Sequence, residues 1–304
     1  MTFSHARRRL HLAAALDRRS VRDADEYAAD ARLAERGALD FVTLGDGPAA
    51  PDALAVLSRV APGTRRVGLV PTVTTTRAEP FRVQAAVATL DRVSRGRAGW
   101  RIEVSTTEGE ARLLCHQGSA LSVGDASALP RPPQGHPVRV VDATDRPARA
   151  VAARYADVAL VRAVLPAQAA AARDELRASA AAHGRDPDAL RILAALDVDL
   201  GDGECAADPC HGGGPRPTPR GPLYRGGPIG LAELIAAWHR DGTVDGFHVT
   251  PVDPRRDLER LVNGTVSLLQ HRGLFRTFYP GSTLRDHLDL ARPANGCAPA
   301  RGVS

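Results

Sequence analysis

The 304-residue chain contains no lysine: its forty basic residues are all arginine, and its only methionine is Met1. Schiff-base chemistry and a P-loop lysine are thereby excluded, because both need an amine that a permanently protonated guanidinium cannot replace. Cysteine is scarce too. Cys115, Cys205, Cys210 and Cys297 are too few and too scattered for a disulfide framework. Aromatic residues make up only 4%, and no run approaches the roughly 18 apolar residues that a membrane span needs. Met1 to Leu12 is basic without a long apolar stretch or a small-residue cleavage site after it, so a soluble, cytoplasmic protein is expected.

What is present is a 43% hydrophobic, 25% charged composition, enough for one large core. The net charge of +5 invites a nucleic-acid reading, but the arginines interleave with acids and form no basic block beyond Arg7-Arg8-Arg9. No nucleic-acid partner and no membrane association are expected.

Short apolar runs alternate with longer amphipathic ones, the pattern of βα units. Runs at 10–16, 40–44, 66–73, 98–104, 137–141, 158–161, 191–198 and 246–252 read as strands, and eight is the number that a closed parallel barrel uses. Helices are expected at 24–36, 51–60, 79–93, 148–155, 166–183, 231–240 and 257–271, with Gly37, Gly184 and Gly273 as C-terminal caps. The expected fold is α/β, a (βα)8 TIM-type barrel spanning 1–293 with irregular loops at 105–133 and 201–230, followed by a disordered tail at 294–304. The Gly- and Pro-rich second loop has no hydrophobic period and reads as a mobile excursion. In such a barrel the loops after the strands converge on one face, and functional residues belong there.

Several segments resemble the bacterial luciferase-like flavin monooxygenases, in particular the branch of nitrilotriacetate, dibenzothiophene-sulfone and pristinamycin-type enzymes. They are Ala31 to Gly47 (ARLAERGALDFVTLGDG), Arg66 to Trp100, Gln134 to Val138 with Ala152 to Ala156, and Asp245 to Pro293, which contains LLQHRGLFRTFYPGSTLRDHLDLARP. The resemblance implies a barrel that takes reduced FMN from a separate flavin reductase and reacts it with oxygen to oxygenate a small-molecule substrate, the protein supplying binding, orientation and water exclusion. It places Asp46, Thr72, Thr74, Arg101, Ser105, Thr144 and Asp145 at the cofactor. Read from the residues alone, Asp46 is a turn residue in Gly-Asp-Gly, and Thr72 and Thr74 are β-favouring strand ends.

The chain departs from the family pattern in three places. Relatives carry Gly-Trp-Asn and then a Val-Thr-Ser strand end; here Gly99-Trp100 is followed by Arg101-Ile102-Glu103-Val104-Ser105. Strand alternation puts Arg101 and Glu103 on one side, where they form an ion pair or Arg101 serves an anionic flavin or a carboxylate. The Gly- and Ser-containing phosphate turn of relatives is replaced by Asp142-Ala143-Thr144-Asp145-Arg146-Pro147-Ala148. Asp145 there would repel a phosphate, and it reads best as the N-cap of the helix beginning at Pro147. The insertions that close over flavin in relatives are shortened to 105–133 and 201–230, which weakens water exclusion. These departures leave two alternatives open: a degenerate barrel that binds flavin or another anion without turnover, and an enzyme that uses a deazaflavin.

Other constellations are weak. Cys205 and Cys210-His211 supply two thiols and an imidazole but lack a fourth ligand nearby, so no metal is expected. Asn263-Gly-Thr265 falls in a helix and is no glycosylation site. His248, between Phe247 and Val249, reads as a packed strand histidine, with the barrel mouth as its other placement. The carboxyl-terminal stretch 274–292, with Phe275, Phe278 and Tyr279, is expected to be covered, either as an arm on the barrel or in a homo-oligomer.

Overall fold

In the computed structural model, residues 9–17, 23–45, 51–74, 80–103, 132–201 and 213–293 are described, with backbone only at Thr74, Pro80, Phe81 and Glu103. The strands are β1 (His11–Ala15), β2 (Phe41–Leu44), β3 (Gly68–Thr74), β4 (Gly99–Glu103), β5 (Val138–Asp142), β6 (Val158–Val161), β7 (Arg191–Asp199), β8 (Arg216–Thr218), β9 (Gly221–Arg225) and β10 (Gly246–Pro251). Parallel pairing runs in order from β1 to β7, and β10 pairs with both β7 and β1. That closes an eight-stranded parallel barrel, as the alternation of runs implies.

The helices are α1 (Ala24–Arg36), α2 (Ala53–Val60), α3 (Pro80–Val93), α4 (Arg146–Tyr155), α5 (Pro166–Ala182), α6 (Pro228–Arg240), α7 (Pro254–Arg260), α8 (Ser267–His271) and α9 (Leu284–His287). Their starts are written locally. Asp23, Asp52, Asp145 and Asp253 each accept a backbone N–H of the first helical turn, and proline occupies the first turn of α4 to α7. A π-helical turn over Leu261–Val266 joins α7 to α8, and Thr265 within it is buried and donates to the Pro228 carbonyl. Gly184 and Gly273 take left-handed conformations after their helices, at φ 73° and 67°. Gly37 does not. Ala38 takes the left-handed conformation there, and Gly37 is small because a Cβ would lie 2.9 Å from Leu39 and 3.1 Å from Val262.

The barrel interior is an apolar plug of Ala13, Phe41, Val70, Val138, Val140, Val158, Leu160 and Leu193, closed underneath by Leu284, Leu288 and Leu290. The closure fits tightly: a Cβ on Gly68, at the start of β3, would lie 2.7 Å from Leu284. The carboxyl-terminal stretch is thus an arm on the barrel's own N-terminal floor. Arg276 ties it to Asp40 at 2.9 Å, and Tyr279 donates to the Leu39 carbonyl at 2.8 Å. Phe275 is buried, but Phe278 is 76% exposed, against the expectation that all three aromatics are covered. It sits in the turn between the Arg276 anchor and α9, with no wall to pack on.

The region 201–230 also corrects the expectation of an unstructured excursion. β8 and β9 form an antiparallel hairpin, Arg216 opposite Leu223, and β9 runs parallel to the tip of β7, Asp197 opposite Leu223. Its place is the β7 edge beyond Ala194, where the β6 ladder ends. Tyr224 is buried there and donates to the Gly227 carbonyl. The helix that follows begins at Pro228 rather than 231.

Candidate active site

Side chains at the C-terminal ends of the strands converge on one small cavity lined by Arg101, Asp142, Arg162, Asp197, Arg220 and His248 among others. Its volume is about 40 Å³, little more than the roughly 30 Å³ share of one water. It offers its polar wall to the edge of a ligand.

Asp142, the last residue of β5, organises this mouth. One oxygen accepts from Arg101 at 3.3 Å and from Arg162 at 3.1 Å, and the other accepts from the Thr144 hydroxyl. Arg162 also donates to the Arg220 carbonyl at 2.9 Å, which moors the hairpin turn over the mouth. His248 on β10 is buried, shares a 2.9 Å hydrogen bond with Thr43 and stacks on Phe41. Burial, with Arg101 and Arg162 nearby, lowers its pKa to about 3, so it is neutral at ordinary pH.

Two donors at this mouth lack acceptors. The Thr72 hydroxyl and the Arg101 Nε are both buried and without a partner among the described residues. Thr72 and Arg101 are register partners on β3 and β4, and neighbours in a parallel ladder project to the same side. Two unsatisfied donors side by side at a barrel mouth fit a ligand that presents acceptor atoms, as the carbonyl edge of a flavin does.

The residues expected from the sequence are distributed unevenly. Asp46 and Ser105 lie outside the described residues, as do Cys205, Cys210 and His211, and of Thr74 only the backbone is described. Thr72 and Arg101 are register partners near the C-terminal ends of β3 and β4, and Arg101 lines the cavity. Arg101 pairs with Asp142; the side chain of Glu103, the partner expected on its own strand, is outside the described atoms. Thr144 is engaged with Asp142. Asp145 caps α4, accepting the Ala148 N–H at 2.7 Å, as its N-cap reading has it. The expected set omits Asp142, Arg162, Asp197 and Arg220, because their convergence depends on strands far apart in the chain. No group of three or more metal-ligating side chains occurs among the described residues, and none of their helices is long and apolar enough to cross a membrane.

The cap makes a direct prediction. Asp145→Ala is expected to destabilise by about 1 kcal/mol, and Asp145→Ser by only a few tenths, because serine caps nearly as well. Urea denaturation of both variants checks this; equal losses would mean that the cap is not what holds Asp145.

A luciferase-like monooxygenase family profile matches residues 1–113 and 100–209. The chain belongs to that family. It is 27% identical to nitrilotriacetate monooxygenase component A of Aminobacter aminovorans, over 91% of this chain and 92% of the relative. That alignment runs over 416 residues against a chain of 304, so the relative carries segments that this chain lacks. Identity to the dibenzothiophene-sulfone monooxygenase of Rhodococcus erythropolis is 24%, over 88% of this chain and 90% of the relative. Among solved structures, EDTA monooxygenase from Chelativorans sp. BNC1 superposes with a TM-score of 0.80 at 19% identity, covering 94% of this chain and 99% of that one. The coenzyme F420-dependent tetrahydromethanopterin reductase of Methanopyrus kandleri shares the fold more loosely, with a TM-score of 0.67 at 14% identity, over 86% and 98%.

Proposed function

We propose that this family member is a flavin-dependent monooxygenase that receives reduced FMN from a separate reductase and oxygenates a small organic substrate. The observation that carries the reading is the adjacent pair of unsatisfied buried donors, Thr72 Oγ1 and Arg101 Nε, at the mouth of a barrel of this family. The bound cofactor supplies the electrons for oxygen chemistry.

The chain's own residues bind and orient. Thr72 and Arg101 donate to ring acceptors, and the guanidiniums of Arg101 and Arg162 favour the anionic reduced flavin over the neutral oxidised one. Asp142 holds both guanidiniums in place, so their geometry is set before the ligand arrives. Neutral His248 adds no further positive charge to a wall that already holds Arg101, Arg162 and Arg220. The turn after β5 is poorly suited to a phosphate, since Thr144 is engaged and Asp145 brings negative charge to the start of α4.

The test is an anaerobic titration with oxidised and then reduced FMN, followed by fluorescence. Micromolar or tighter binding of the reduced form, with weaker binding of the oxidised form, is expected, and Asp145→Ser should tighten both. Failure of both forms to bind would overturn the reading. A 5-deazaflavin titrated in parallel decides the cofactor: tighter binding of it than of FMN moves the assignment to deazaflavin chemistry.

A further inference from the structure

Among the described residues that line the mouth, Asp197, near the end of β7, is the one carboxylate that the scheme above leaves without a task. It lines the same cavity as Arg101, Arg162 and His248, and it is register partner to Thr250 on β10. Asp142 beside it receives two guanidiniums and a hydroxyl, and Asp199, two residues on, is paired with Arg225 and Arg256. The Asp197 carboxylate accepts no hydrogen bond from any described residue; the charges around it act on it only through space.

The charge count of the mouth is uneven. Among the described residues that line the cavity, three guanidiniums, Arg101, Arg162 and Arg220, face two carboxylates, Asp142 and Asp197. Arg101 also keeps a buried Nε–H with no acceptor. The cavity therefore offers a small oxyanion a positive wall and an open donor, together with one free carboxylate that would repel it. Protonation of that carboxylate removes the repulsion and turns it into a further donor.

We propose that the barrel mouth binds an oxyanion group together with one proton, and that Asp197 holds that proton. The balance is simple: solvent supplies the proton, the carboxylate becomes a carboxylic acid whose O–H donates to the oxyanion, and the proton returns to solvent when the anion leaves. The groups that face Asp197 set the starting point. Burial raises its pKa above the ordinary value; Arg162 and Arg220 pull it down and Asp17 pushes it up. Arg101 and Asp142 line the same cavity, already paired with each other, and His248 is neutral. An anion at the cavity adds a further upward push, so uptake falls at and above the usual carboxylate range.

Sulfate is a suitable probe, because it does not titrate there and contains no flavin; the outcome is independent of the FMN assignment. Sodium sulfate is titrated calorimetrically into the full chain at several mildly acidic to neutral pH values, in pairs of buffers of different ionisation enthalpy. The wild type is expected to take up a fraction of a proton per sulfate, and its affinity to fall with rising pH by up to about tenfold per unit. Asp197→Asn should abolish the uptake, flatten the pH dependence and bind sulfate more tightly at neutral pH; Asp197→Ser is a second, smaller replacement. Arg101→Gln should weaken binding severalfold, which ties the ion to this cavity. The proposal is overturned by proton uptake that persists in both Asp197 variants, by an Arg101→Gln affinity equal to wild type, or by a wild type that binds no sulfate.

Discussion

Replacing Asp40 by alanine is expected to lower the unfolding free energy by about 3–5 kcal/mol, the range for breaking a buried charge pair by removing one partner. Asp40 precedes β2 and is fully buried. One carboxylate oxygen accepts from His11 at 3.1 Å and from Arg276 at 2.9 Å, and the other accepts from the Leu12 amide at 2.7 Å. Arg276 also donates to the Ala38 carbonyl at 2.7 Å and to the His287 carbonyl at 3.3 Å. One residue thus fastens β1, β2 and the carboxyl-terminal arm together, and its loss leaves a guanidinium without its counter-charge. Urea unfolding of Asp40→Ala measures the effect; a loss under about 1 kcal/mol would place the arm's attachment in the Leu284 and Leu288 packing instead.

The same contacts give a pH signature. Burial raises the Asp40 pKa, but Arg276 and His11 more than offset this and hold it at about 2, below the ordinary 3.8. A depressed carboxylate contributes stability that is complete above its unfolded pKa and is lost as pH falls through the folded one, here about 2 kcal/mol between roughly pH 4 and pH 2. The acid limb of wild type should therefore contain a component that Asp40→Ala lacks.

All eight barrel strands were legible in the sequence to within two residues, because each is a short apolar run bounded by Gly, Pro or Asp and buried on both faces. The β8–β9 hairpin was not. Its strands are three and five residues long, Pro217 faces Pro222 across the ladder, and the alignment along the free tip of β7 is a tertiary fact with no local period. The site shows the same division. Asp145 as a cap is a relation over three residues and can be read directly. The partner of Arg101 is 41 residues away on the next strand, whereas alternation along β4 offers only Glu103. Asp197 looks like any strand residue until β6, β10 and the hairpin turn are placed around it.

The second large effect is expected at Arg101, where Arg101→Gln should weaken binding of reduced FMN by about 10- to 100-fold, since hydrogen bonds to charged groups are worth roughly 1.5–3 kcal/mol. Stability should barely change. Asp142 keeps Arg162 and the Thr144 hydroxyl as partners when Arg101 is replaced, so its carboxylate is not left unpaired. Arg101→Lys separates charge from geometry: it retains the cation but loses the Nε–H and the planar fork, so affinity intermediate between wild type and glutamine is expected. Thr72→Val removes the neighbouring donor and should cost about fivefold, close to 1 kcal/mol, without loss of stability, because the hydroxyl has no partner to lose among the described residues. If both donors serve one acceptor edge, the double variant should lose less than the two single losses combined. Wild-type affinity in Arg101→Gln would move the flavin away from this mouth, and strict additivity with Thr72→Val would mean that the two donors meet different parts of the ligand.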